Sequence, residues 1–244
     1  MTRHHPNTID RYADGQHISN RRRQKAALLA DTLARLFPHD AALEIVDFGC
    51  ADGAVPALIL RSGVGAQIRR ITGITKLDYN DLPEKPAHAH PDFRRMVHDL
   101  QLPLPEESLP WGACDVVLAT AFFHYCDPPD IPFTHAFRLL KPGGYLLAGM
   151  PARWVLRLRY QGIPGVLPRN TRIKRIQSLE VWGQVARSCG FAEVSRQAVQ
   201  WLGIARTQRL EMWLRRRNIL PWFGSNYLVI YRKPAEGIAD QTEV

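Results

Sequence analysis

Asp47, Gly49 and Gly53 stand close together in the run Glu44-Ile-Val-Asp-Phe-Gly-Cys-Ala-Asp-Gly53. Their chemistry is that of holding a ligand against the backbone. The apolar stretch Leu43 to Phe48 reads as a buried strand, and the glycines after it as a tight turn opening a helix over Ala54 to Arg61. A glycine at the strand exit lets the chain turn sharply and leaves room for a ligand. The helix after it points its first N–H groups at that ligand. Open α/β sheets bind nucleosides at this place, outside the carboxyl ends of their strands. The spacing differs from G-x-G-x-x-G, whose close glycines admit a pyrophosphate. Asp47, two residues before the first glycine, repels a diphosphate and attracts a cation. His88 and His90 form H-x-H in a Pro-rich loop, without the further ligands a metal site needs.

The elements that must position these residues alternate along the chain. Gln24 to Leu36 is an amphipathic helix ended by Phe37-Pro38. After the first strand and its helix, Gln67 to Thr75 reads as a second strand and Asp92 to His98 as a short third. Cys114 to Thr120 is a fourth, apolar strand. A helix over Ile131 to Leu140 stops at Lys141-Pro-Gly-Gly144, and Tyr145 to Met150 is a fifth strand. Ser178 to Ser188 is a helix closed by Cys189-Gly190, with glycine as the left-handed cap. Phe191 to Val199 and Asn226 to Arg232 complete seven strands. Strands alternating with helices predict an α/β fold, a mostly parallel sheet with helices on both faces. No crossover of ordinary length joins the last two strands, so the seventh pairs antiparallel.

The Asp47-x-Gly-x-x-x-Gly53 run resembles motif I of class I (Rossmann-like) S-adenosylmethionine methyltransferases, of the small-molecule type seen in the methyltransferase-11 family. Ala51 stands where that family usually has a middle glycine. His98-Asp99-Leu100 before Leu102-Pro-Leu-Pro is similar to its D-x-x-x-L-P segment. Asp115 to Tyr125 resembles motif IV. Ala136-Phe-Arg-Leu-Leu-Lys-Pro-Gly-Gly-Tyr-Leu-Leu147 is close to its R-x-L-K-P-G-G-x-L turn. The resemblance covers Leu43 to Met150 and extends to Tyr231 by topology. It implies S-adenosylmethionine as cofactor, held by Asp47, Gly49, Cys50, Ala51 and Gly53. Asp47 would orient the amino-acid end, Asp99 the adenine amino group, and Leu100 the ring. Ala119 and Thr120 would lie under the sulfonium. The family's ribose-binding acid is replaced by Thr75, which has one hydroxyl where a carboxylate accepts two bonds; Asp78, three residues on, is the alternative. Tyr12 resembles the aromatic residue that covers the cofactor in many relatives. His124, after the fourth strand, is the candidate general base, with Tyr125 beside it; His17 is a second candidate. A structural, hydrogen-bonded role for His124 competes with this one.

Length and composition agree with one domain over residues 1–233. It comprises an N-terminal cap and helix (1–40), substrate-side insertions at 151–177 and 200–225, and a polar, disordered tail from 234. The chain has 244 residues, 45% of them hydrophobic. No apolar run reaches the ~20 residues that span a bilayer, and the start lacks an apolar signal core, so a cytoplasmic protein is expected. Its four cysteines are scattered, as reduced core thiols are. Charge is uneven: residues 151–233 carry 16 Lys/Arg against 3 Asp/Glu. The first insertion holds Arg153, Arg157, Arg159, Arg169, Arg172, Lys174 and Arg175. The second holds Arg206, Arg209, Arg215, Arg216 and Arg217 among tryptophans. A basic rim draws in anions, and arginine pairs well with phosphate or carboxylate. The expected acceptor is therefore a small, anionic or lipid-linked molecule, methylated on oxygen in a biosynthetic pathway. Two alternatives stand beside it. One is an RNA methyltransferase, which basic charge with aromatics suits, although Ala119-Thr-Ala-Phe is not the N-P-P-Y type used on base amines. The other is a non-catalytic adaptor at an anionic membrane, lying there by Arg209 to Phe223.

Overall fold

Apolar runs alternating with amphipathic ones build a seven-stranded sheet and, among the described residues, five α-helices. The computed structural model describes residues 20–76, 90–107, 109–162, 164, 169–200 and 224–235. The strands are β1 (Leu43–Phe48), β2 (Ile68–Thr75), β3 (Phe93–Val97), β4 (Cys114–Thr120), β5 (Leu140–Pro151), β6 (Ala192–Gln200) and β7 (Asn226–Arg232). The helices are α1 (Asn20–Leu36), α2 (Ala54–Leu60), α3 (Asp130–Leu139), α4 (Arg153–Gln161) and α5 (Leu179–Ser188). The sheet order is β3-β2-β1-β4-β5-β7-β6. Six strands run parallel, and β7 lies antiparallel between β5 and β6. This is the expected Rossmann-like arrangement, with its reversed last strand.

The chain divides into two compact units, residues up to Asp99 and residues from Leu100. In the first, β1 pairs with β2 from Leu43↔Ile68 to Phe48↔Ile74, and β2 with β3 from Ile71↔Phe93 to Thr75↔Val97. Ile45, Phe48, Ile71 and Ile74 are fully buried. α1 begins at Asn20, one turn earlier than expected, buries Leu29 and Leu33, and lies beside α2. Such burial, rather than propensity, stabilises a short helix.

In the second unit, Val116 to Ala119 of β4 are wholly buried. The ring of Phe133 (α3) stacks on Phe123 at 3.9 Å and meets Tyr231 (β7) edge-on at 6.3 Å. Ser178 caps α5, its Oγ accepting the Val181 N–H at 3.4 Å. Gly190 closes that helix with φ 96°, the left-handed cap read from the sequence.

Two further elements differ from expectation. β5 begins at Leu140, so Lys141 to Gly144 lie inside it as a bulge. Leu140 pairs with Cys114, but the next pair is Tyr145↔Val116. Gly143 takes φ 80°, and its N–H donates to the Lys233 carbonyl at 3.0 Å. A Cβ on Gly144 would lie 3.0 Å from the carbonyl oxygens of both Asp115 and Lys141. The Lys141 ammonium returns to the Asp115 carboxylate at 2.7 Å. Bulges read locally as turns, because the residues that tolerate them are the same. Second, the basic segment after β5 contains α4. Only Val155 and Leu156 bury there, too few apolar positions to print a helical period.

Candidate functional site

Asp47, near the end of β1, is 4% exposed. Burial pushes its carboxyl up to about 7, and the Lys25 ammonium of α1 pulls it partly back. The turn that follows takes three left-handed residues, Gly49, Ala51 and Gly53, with φ 74°, 53° and 81°. The N–H groups of Gly49 and Cys50 both donate to the Ile74 carbonyl, at 2.8 and 3.1 Å. The turn is thereby fastened to the end of β2. Asp52 accepts the Arg22 guanidinium at 2.8 Å and the Ala54 N–H at 3.2 Å. The Cys50 thiol is pushed far up by its burial and by the Asp47 carboxylate, so it stays neutral and inert.

Two details of the sequence reading change here. The Ala54 N–H caps onto Asp52 rather than pointing at a ligand. The space beside Gly53 belongs to Phe93: a Cβ there would lie 2.4 Å from Phe93 Cε1. One on Gly73 would lie 2.6 Å from Cys50 Sγ and 2.9 Å from Phe93 Cε2. These glycines admit the protein's own ring. Phe93 carried no signal as part of this turn, because it lies forty residues along the chain from Gly53.

Ala51 holds a left-handed conformation that glycine adopts freely. An L-residue with a Cβ is disfavoured there by roughly 1–2 kcal/mol, partly offset because glycine loses more chain entropy on folding. Ala51→Gly is expected to stabilise the protein by about 0.5–1 kcal/mol, raising Tm by a few degrees in a thermal melt. A lowered Tm would contradict the left-handed turn.

Thr75 ends β2, is 5% exposed, and its carbonyl accepts the His98 N–H at 2.8 Å. Lys76 follows, and its ammonium forms an ion pair with Asp99. Thr75, Lys76 and Asp99 thus share the carboxyl end of the β2–β3 pair. Lys76 is the residue that sequence reading passed over; its signal was a lysine directly after the strand-ending position. Tyr12, His17, Asp78 and His88 lie outside the described residues, as does the basic segment 201–223.

In the second unit, Leu100 is 4% exposed. Ala119 and Thr120 end β4 against Ala148 and Gly149 of β5. A Cβ on Gly149 would lie 3.1 Å from Thr120 Cα, so glycine permits this approach. Ala121 then turns with φ 57° into a 3₁₀ turn over Phe123–Tyr125. His124 is 2% exposed and Tyr125 39%, their ring centroids 4.1 Å apart. The His124 carbonyl accepts the N–H groups of Lys174 and Arg175 at 2.9 and 3.2 Å. The Arg175 guanidinium pairs with Asp127, and the Asn170 N–H donates to the Arg159 carbonyl at 2.8 Å. Residues 170–175 therefore form a strap fastened at both ends, anchored by buried Ile173, with Arg172 and Lys174 exposed.

A family model described as a methyltransferase domain matches residues 20–196. No curated protein matches the chain. Among solved structures, a methyltransferase of Haloferax volcanii, in complex with the Trm112 methyltransferase activator, is 20% identical with a TM-score of 0.64, covering 93% of this chain and 96% of its own. An S-adenosylmethionine-dependent methyltransferase from Mesorhizobium loti is 15% identical with a TM-score of 0.58, covering 83% and 96%. The [4+2]-cyclase SpnF is 20% identical with a TM-score of 0.59, covering 91% and 84%.

Proposed function

The chain belongs to the methyltransferase-domain family, whose cofactor is S-adenosylmethionine, and from that premise we propose that it methylates an oxygen of an anionic acceptor, a small molecule or a lipid-like one, in a biosynthetic pathway. The observation that carries the choice of acceptor is the basic strap tied to the His124 carbonyl. Strap and turn are one construction, so cations are held beside the residues that follow β4.

The chain's residues fit the cofactor at its amino-acid end. A carboxyl buried until its pKa reaches about 7 has a use for a positive charge beside it. Asp47 would hold that end, with the backbone of Gly49, Cys50, Ala51 and Gly53 around it. Thr75 would take the ribose, and Asp99 with Leu100 the adenine. Ala119 and Thr120 are assigned to the reacting end. When bound, S-adenosylmethionine supplies a methyl already activated on a sulfonium. What remains for the protein is alignment and proton removal. Arg172 and Lys174 hold the acceptor's anionic group by charge. His124 takes the acceptor's hydroxyl proton, and Tyr125, more exposed, borders the entrance.

One structure with this fold is named as a cyclase, so fold alone does not set the reaction. The test is therefore release of S-adenosylhomocysteine from S-adenosylmethionine, with hydroxylated acceptors offered in phosphorylated, carboxylated and neutral forms. Turnover is expected with the anionic forms. Arg172→Glu with Lys174→Glu is expected to raise acceptor KM roughly tenfold while leaving S-adenosylhomocysteine affinity unchanged. An unchanged KM would remove the strap from acceptor binding.

A further inference from the structure

α4 reads Arg153-Trp-Val-Leu-Arg-Leu-Arg-Tyr-Gln161. Val155 and Leu156, 8% and 0% exposed, seat it on the fold. Arg153, Trp154, Arg157, Leu158 and Gln161 are all exposed. Residues four apart are neighbours on a helix, so these five form one outward face. Arg153, Arg157 and Gln161 make one row, and Trp154 and Leu158 the row beside it. Trp154 is 49% exposed and Leu158 37%. An indole and an isobutyl group side by side in water mark a contact surface.

We propose that this outward face of α4 docks on an anionic lipid surface. The arginines pair with phosphate headgroups, and their apolar stems lie along the same surface as Trp154 and Leu158. The indole and the leucine enter the boundary between headgroups and acyl chains. The helix has nine residues, far short of the ~20 needed to cross, so it lies in the interface plane. Charge complementarity supports this occupant, since residues 151–233 carry 16 Lys/Arg against 3 Asp/Glu. Single-stranded RNA fits less well. It stacks successive bases on several open aromatic faces, but this face offers Trp154 alone, and the nearby Tyr160 is covered by the Arg169 guanidinium at 5.3 Å. Leu158 has nothing to stack on a base. The proposal does not depend on methyl transfer.

The test is co-sedimentation of the full chain with vesicles of phosphatidylcholine, with and without phosphatidylglycerol, at low and high salt. Binding is expected to the mixed vesicles only, and to weaken with salt. Trp154→Ala with Leu158→Ala is expected to weaken it roughly tenfold, and Arg153→Glu with Arg157→Glu by at least as much. All four side chains are exposed, so circular-dichroism melts should overlay the wild type; the charge-reversal pair serves alone if the apolar pair melts early. Wild type failing to sediment, or variants sedimenting like wild type, overturns the proposal. So does a face that binds labelled single-stranded RNA through these residues while ignoring the vesicles.

Discussion

Asp47→Ala is expected to abolish micromolar binding of S-adenosylhomocysteine in a calorimetric titration, a loss of at least a hundredfold. Asp47→Asn, which keeps the shape and removes the charge, is expected to lose nearly as much. The reason is electrostatic. The cofactor's amino-acid end carries an ammonium, and a buried carboxylate interacts with it more strongly than an exposed one would. Burial raises the Asp47 carboxyl from 3.8 to about 7 in the free protein. Bound ammonium favours the ionised form, so affinity should rise as pH increases through about 7 and level off above it. Asp47→Asn should flatten that dependence.

Stability moves the other way. A carboxyl whose folded pKa is raised contributes stability in full below its unfolded pKa. That contribution falls as pH rises from 3.8 and is gone above about 7. Asp47→Asn removes this slope, so at pH 8 the variant should melt above wild type while binding the product far less well. Weaker binding with greater stability separates a functional charge from a structural one. A variant that binds normally, or that loses stability along with affinity, would remove Asp47 from the cofactor site.

His124→Ala is expected to lower kcat for an oxygen acceptor about a hundredfold, the scale of general base catalysis, with cofactor affinity unchanged. The side chain is 2% exposed, and its ring lies 4.1 Å from Tyr125. Truncation therefore also costs packing, and a modest fall in Tm should accompany it. Two readouts keep these effects apart. The strap is bonded to the backbone carbonyl of His124, which the substitution keeps. Acceptor KM, set by Arg172 and Lys174, should thus move little while kcat falls. Added imidazole should restore part of the lost turnover, which a role in packing alone would not allow. A fall in kcat below about threefold would assign the ring to packing alone, the competing role its burial supports.

Much of this molecule is written in local sequence. The β1 turn was legible because an apolar run, a carboxylate and spaced glycines act within ten residues of chain. β4, β7 and the Gly190 cap were legible for the same reason: alternation, burial and left-handed turns are short-range properties. Ala51 was legible only as a departure from the family's usual glycine; its left-handed φ of 53° came from the structure. Composition located the excess of cations after residue 150, since charge needs no partner to be counted.

Tertiary structure alone decided the partners. Gly53 admits the Phe93 ring, and Asp52 accepts both Arg22 and the first N–H of α2. Lys76 claims Asp99 from the next strand. The Lys-Pro-Gly-Gly run follows the end of α3, as read from the sequence, and is also a bulge in β5, because its N–H and carbonyl groups meet Lys233 from β7's end. The basic segment is a strap because one buried carbonyl, His124's, accepts two of its N–H groups. Apart from the local Asp52–Ala54 cap, each of these joins residues from about 23 to 90 positions apart. Residue type sets what a side chain can bond to, but which atoms come within bonding distance is settled by strand order and packing.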